Sequence, residues 1–226
     1  MRRKQSLIAS AAIGLVLAFT SCSRQEPVAP YISEFVNAYT DPNGYICVIG
    51  NDRGKRFVTS DTVRLLPDTV FRRLMVYAVN ADSSSATIFS HYNVIASLPE
   101  RPSPADKCSD PVSVRSVWIS GGWMNLTIEV KALDKKHRIY AIDQSDSTKV
   151  AFLIYHDENG DIRSHTKKAY MSIPLDYYYE TLSVNDTISL SYINYENDTV
   201  KYQIKSGPVR KDQIKRALQE FSSAPQ

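Results

Sequence analysis

The feature that most constrains the fold is a succession of short runs rich in β-branched and aromatic residues, each closed by a polar or glycine turn. Residues 45–49 read Tyr-Ile-Cys-Val-Ile, between Asn43-Gly44 and Gly50-Asn51-Asp52-Arg53-Gly54. Residues 56–59, 72–79 and 86–95 follow, the last two separated by Asp82-Ser83-Ser84-Ser85. None of these runs has a helical period, and residues of this kind suit a pleated, half-buried surface. Short strands joined by polar turns predict a small barrel or a sandwich.

Proline sets a boundary. Pro99, Pro102, Pro104 and Pro111 crowd one stretch, and no regular element tolerates that density of missing N–H donors. Residues 43–98 are therefore expected to form one body, residues 99–111 a linker and residues 112–207 a second body. The second body carries further strand-forming runs at 112–120, 123–132, 137–142, 150–156, 166–173, 187–195 and 200–205. That spacing is the pattern of an antiparallel β-sandwich. After Pro208, residues Ile214, Ala217, Leu218 and Phe221 fall on one helical stripe, which predicts a short helix within 208–226. That helix either packs on the second body or, through Arg210, Lys211, Lys215 and Arg216, touches anionic lipid.

The N-terminus is of another kind. Arg2, Arg3 and Lys4 precede an apolar run over 7–19 and then Thr20-Ser21-Cys22. A basic head, a short apolar core and small residues make a secretory signal over 1–21. The run is shorter than the about 20 apolar residues that a spanning helix needs. Its end resembles a bacterial lipobox, which implies cleavage before Cys22 and diacylation of that thiol. The mature chain is then expected to be membrane-anchored through lipid, with residues 22–42 as a tether. A location on the outer membrane is expected. The single acid in Ser23-Arg24-Gln25-Glu26 leans towards its periplasmic face over the cell surface.

Charge excludes one class of partner. The net charge is +3, and the leader removes Arg2, Arg3 and Lys4 with no acid, leaving a neutral mature chain. A nucleic-acid binder needs a basic footprint that this chain lacks, so none is expected as a partner. Cys47 and Cys108 would fold in an oxidising space, where they either pair or remain two thiols.

No motif points to catalysis, a cofactor or a metal. His91, His137, His156 and His165 have no ligand spacing, and no zinc-type cluster is present. Asp157, Asn159 and Asp161 alternate as calcium ligands do, but an EF-type loop needs Gly and Glu where Ile162 and Lys168 stand. A tight Asn159-Gly160 turn accounts for them. Ser120-Gly121-Gly122-Trp123 is not a nucleophile elbow and reads as a strand-to-strand turn. Catalytic work would require His137 or His156 to meet a carboxylate and a nucleophile. Trp118, Trp123 and Tyr178 could instead serve as an aromatic platform for a glycan, or simply be half-buried strand residues.

A recurrent Asp-Thr-aliphatic pattern falls at Thr62, Thr69, Thr187 and Thr199. It is similar to acceptor sites of protein O-glycosylation in Bacteroidota. A turn-ending Asp followed by a strand-starting Thr explains it equally.

Taken in order, several segments resemble the NigD-like lipoproteins of Bacteroidota. They are Tyr45-Ile-Cys-Val-Ile-Gly-Asn-Asp52-x-Gly54, Arg73-Leu-Met-Val-Tyr77, Tyr92-x-Val94-Ile95, Trp118-Ile119, Trp123-Met-Asn-Leu-Thr-Ile128 and His156-Asp-Glu-Asn-Gly-Asp161. The resemblance implies an N-terminal OB-type barrel followed by a C-terminal β-sandwich. The family name comes from a bacteriocin gene cluster, which implies producer immunity. The expectation is thus an all-β, non-enzymatic envelope protein with a small OB-like barrel, an antiparallel β-sandwich and a short C-terminal helix. Its partner would be an envelope protein or, through exposed aromatics, a glycan.

Overall fold

The computed structural model describes residues 30–60, 63–96, 98–102, 109–178 and 186–206. These carry strands β1 (Ile32–Thr40), β2 (Ile46–Asn51), β3 (Arg56–Val58), β4 (Val70–Val79), β5 (Ala86–Ala96) and β6 (Ser113–Ser120). They continue with β7 (Trp123–Ala132), β8 (Arg138–Asp143), β9 (Val150–Asp157), β10 (His165–Pro174), β11 (Thr187–Ile193) and β12 (Thr199–Lys205). The all-β expectation holds, and every run predicted for the second body is a strand. No helix among the described residues is long and apolar enough to cross a membrane. The predicted C-terminal helix and the leader lie outside the described residues.

One sheet runs through both halves, in the order β3-β2-β1-β4-β5-β10-β7-β6. A second, smaller sheet, β12-β11-β9-β8, packs on its β10-β7-β6 end. Strand alternation then sorts the side chains. Met124, Leu126 and Ile128 of β7, with Met171 and Ile173 of β10, point into the sandwich against Phe152, Ile154, Ile188 and Leu190. A separate core under β1–β5 gathers Val36, Ile46, Ile49, Phe57, Met75 and Tyr77.

Two expectations for the first half are corrected. Residues from Ile32 to Thr40 are not tether: β1 is an interior strand, hydrogen-bonded to β2 on one side and β4 on the other. Its polar positions disguise it, because their partners lie far away in sequence. Glu34, for example, accepts from the Tyr77 hydroxyl and from Asn51 Nδ2. The strands β1–β5 also do not close into a barrel. They curl far enough for Val58 N–H to reach the Ser84 carbonyl at 3.0 Å and form a single bridge to Ser85. The end of β5 is taken instead by β10, through the parallel register Tyr170↔Val94, Met171↔Ile95 and Ser172↔Ala96.

Candidate functional site

The face of β6, β7 and β10 that turns away from the sandwich core meets the first half along a polar seam. Arg72 is its centre. Met75 and Tyr77 of β4 enter the first core, so Arg72 points the other way. Its Nη1 and Nη2 donate to Asp52 Oδ1 at 2.6 Å and Oδ2 at 2.8 Å. The remaining donors reach Asn37 Oδ1 at 3.2 Å, Asn125 Oδ1 at 3.1 Å and Ser172 Oγ at 3.4 Å. All five N–H groups of the guanidinium are engaged. Its carbon lies 5.1 Å from the Trp123 ring and 5.6 Å from the Phe35 ring. The Arg72 side chain is 1% exposed and that of Asp52 12%.

A second tier of bonds braces the first. Ser120 Oγ donates to Asp52 Oδ2, Asn125 Nδ2 donates to Ser120 Oγ at 3.0 Å, and Ser172 Oγ donates to Asn125 Oδ1 at 2.7 Å. The Ser120-Gly121-Gly122-Trp123 turn is what admits Asp52. Gly121 has φ +56°, and a Cβ placed there would lie 2.6 Å from Asp52 Oδ1. The turn expected from the sequence is therefore also the socket for a carboxylate from the other half.

Beside the seam lies a cleft of about 270 Å³, where β5 parts from β4. The β4–β5 ladder ends at Arg73↔Asn93, and from Val94 onward β5 pairs with β10. Asn37, Phe71, Arg72, Arg73, Asn93 and Trp123 contribute to its lining. Arg73 is 8% exposed, and its guanidinium carbon lies 5.3 Å from the Phe71 ring. Its Nε has no hydrogen-bond partner among the described residues, and burial lowers its pKa from the usual guanidinium range. His91 Nδ1, one strand over, is also buried without a partner. A smaller cavity of about 230 Å³, lined by Val58, Thr59, Asn80, Ser85 and Thr87, has no charged group among the described residues of its lining.

Sequence reasoning treated the histidines as solitary, but two of them meet. His156 Nδ1–H donates to the Pro111 carbonyl at 3.0 Å, which leaves Nε2 as an acceptor. His137 Nδ1 sits 2.9 Å from that Nε2, and His137 Nε2 sits 3.1 Å from Asp161 Oδ2. The two rings thus link the Pro111 carbonyl to the Asp161 carboxylate. Burial holds His156 below the usual imidazole range, consistent with the neutral ring. Burial alone would raise the Asp161 carboxyl. N–H donors from Leu133, Ile162 and Asp134, together with His137, hold it well below the usual carboxylate range. His137 thus meets a carboxylate, but its other nitrogen faces a second histidine. Among the described residues no group of three or more His, Cys, Asp or Glu is placed to hold a metal.

The residues singled out from sequence scatter. Trp118 is half-buried with its ring 5.2 Å from Phe35, and Trp123 is buried under Arg72. Tyr178 packs on Phe152 and donates its hydroxyl to Asp143 Oδ2 at 2.7 Å. The structure therefore brings Trp118 and Trp123 to the seam and sends Tyr178 to the sandwich core. Cys47 lies in β2, its thiol 3.4 Å from the Tyr39 carbonyl. Thr187 and Thr199 are exposed at the starts of β11 and β12, and half-buried Thr69 caps its own turn through the Pro67 carbonyl. Cys22, Cys108 and Thr62 lie outside the described residues. Aromatics that do face solvent include Tyr177, 65% exposed, Tyr31 at 61%, Phe89 at 52% and Tyr92 at 50%. Tyr31 and Phe89 stand edge to face at 4.7 Å. Phe89 is thrown outward where the β4–β5 register shifts between Val76 and Tyr77, a local irregularity that a run of strand-forming residues does not advertise.

Residues 96–206 match the family model described as the NigD-like C-terminal beta sandwich domain. No curated protein matches the chain at a significant level. Among solved structures, the chain is similar to a NigD-like immunity protein from Bacteroides caccae, with 23% identity and a TM-score of 0.62 over 78% of this chain and 93% of that one. It is also similar to a protein from Parabacteroides distasonis provisionally described as toxin related, with 17% identity and a TM-score of 0.65 over 84% and 98% of the two chains. A provisionally described lipoprotein from Bacteroides fragilis shares 10% identity and a TM-score of 0.57, over 80% of this chain and all (100%) of its own.

Proposed function

Because residues 96–206 match the NigD-like C-terminal beta sandwich domain, we propose that the chain is a non-enzymatic, lipid-anchored envelope protein that protects its cell by binding a partner. The anchor is Cys22, at the end of a leader with the composition of a lipoprotein signal. The name of the Bacteroides caccae neighbour, an immunity protein on a similar fold, favours protection over nutrient capture. The polar clusters favour binding over catalysis: Arg72 is engaged with Asp52 and its neighbours, and His137 with His156 and Asp161.

The observation that carries the reading is the solvent-facing pair Tyr31 and Phe89, with Tyr92 further along the same strand. Exposed aromatics on a rigid sheet supply large contact area at low entropic cost, and they are enriched at protein interfaces. The partner is accordingly an envelope protein or an incoming toxic protein, engaged from the periplasmic side of the outer membrane.

The test is survival. A strain lacking this chain is co-cultured with bacteriocin-producing relatives and complemented with wild type or with Tyr31→Ala/Phe89→Ala. Wild type is expected to restore survival, and the double variant, at equal abundance, is expected to fail. Equal survival of the deletion and parent strains would remove the protective role.

A further inference from the structure

Arg72 and Arg73 are adjacent in sequence, buried alike and opposite in circumstance. Alternation along β4 sends them to opposite faces. Arg72 finds a bidentate carboxylate and three further acceptors. Arg73 forms no ion pair among the described residues, and its Nε has no hydrogen-bond partner there, although the residue is only 8% exposed. Arginine does not lose its proton inside a protein, so this cation cannot escape the cost of burial by neutralising itself.

The surroundings make the same demand. Among the described residues no Asp or Glu lines the cleft, and the charge of Arg72 is already matched by Asp52, so the unmatched charge on its lining is that of Arg73. The pairs Arg73↔Asn93 and Met75↔His91 set Arg73, His91 and Asn93 on one face of neighbouring strands, with His91 diagonal to Arg73. The unpartnered His91 Nδ1 is therefore a second buried nitrogen on the same face. The remaining walls include the rings of Phe71 and Trp123.

We propose that this cleft binds a carboxylate borne on an apolar or aromatic body, its oxygens taken by the Arg73 guanidinium, with Asn93 and His91 alongside. A planar guanidinium presents parallel donors at the spacing of a carboxylate. One uncompensated cation balances one carboxylate, whereas a phosphate dianion would call for more. A volume of about 270 Å³ sits just under the roughly 300–1,000 Å³ of small-molecule sites. It accommodates a small aromatic acid or the last residue of a peptide, two sources of the same chemistry. The site differs from the Tyr31–Phe89 surface and stands or falls separately from it.

The test is calorimetric titration of the full-length chain in non-ionic detergent, with Trp123 fluorescence as a second readout. The probes are N-acetylphenylalanine, a ten-residue peptide ending in a free phenylalanine carboxylate, and the amide of each. Acids are expected to bind at least tenfold more tightly than their amides. Binding of both acids assigns the site to peptide ends, and binding of the small acid alone assigns it to free acids. Arg73→Gln is expected to weaken the acid at least tenfold. Asn93→Asp, which sets a carboxylate directly across from Arg73, is expected to do the same while raising the melting temperature, and it keeps the test decisive if Arg73→Gln does not fold. Equal affinity for acids and amides, no acid binding at millimolar concentration, or full affinity in Asn93→Asp would overturn the assignment.

Discussion

Removing the Asp52 carboxylate should unbalance the seam more than any other single polar change. Asp52→Ala deletes the bonds of 2.6 and 2.8 Å to Arg72 and the acceptor of Ser120. It leaves a guanidinium whose side chain is 1% exposed without its counter-charge. Breaking one partner of a buried pair costs about 3–5 kcal/mol, mostly the penalty of the stranded charge. A protein of this size loses about 2–4 °C of melting temperature per kcal/mol, so the expected drop is about 6–20 °C. Arg72→Met/Asp52→Ala removes the stranded charge as well and should recover at least about 1 kcal/mol of the single-variant loss. Urea unfolding is the assay, followed by tryptophan fluorescence and far-UV circular dichroism. Trp118 and Trp123 both sit at the seam, so fluorescence reports its opening directly. A cost below about 1 kcal/mol for Asp52→Ala, or strict additivity in the double variant, would show that the pair is not the electrostatic unit described.

Other perturbations follow from the same geometry. Gly121→Ala should destabilise by about 1–3 kcal/mol in urea unfolding, because it combines a left-handed backbone with a Cβ against Asp52. Asp161 has a carboxyl held low in the folded state, so its stabilisation is present above the unfolded carboxylate value of about 4 and is lost as pH falls below it. Melting curves of Asp161→Asn should accordingly converge on wild type as the solution is acidified. Asp176 shows the opposite sign. Burial raises its carboxyl to about 6, so its ionisation costs stability progressively as pH rises from the unfolded value of about 4. Asp176→Asn should melt higher than wild type at pH 7.5 and equal to it at pH 4.

The sandwich was legible because each of its strands declares itself locally. Residues 123–132 alternate apolar and polar on a period that needs no distant information, and β7 spans those residues. The first half was less legible for a physical reason. In β1, Glu34 and Asn37 break the apolar pattern, and their compensation comes from Tyr77, Asn51 and Arg72. Which strand β5 would join was equally hidden, since ladder partners are chosen across more than 70 residues of chain. The same distance concealed the seam, whose members run from Asn37 to Ser172, while the encounter of His137 with His156 depends on the register of β8 on β9. Trp118 and Trp123 were visible as strand aromatics, but the face they line is covered by the first half.

The continuous sheet explains why two bodies with separate cores need a charged seam at all. Val94, Ile95 and Ala96 of β5 pair with β10 through a short parallel ladder, which by itself fixes position along the strand but little else. Hydrophobic contacts are non-directional and would allow the covered faces to slide. A guanidinium fork engaged on five acceptor bonds does not, because each bond fails when its geometry shifts. The cleft takes two of its walls, Arg72 and Trp123, from that clamp, and Arg73 follows Arg72 on the same rigid strand. The unmatched cation is therefore held on a pre-set scaffold, where little conformational entropy remains to be lost on binding. Successive arginines on one strand divide the labour by pleat alone: one locks the halves together, and the other is left unmatched beside the cavity where β5 parts from β4.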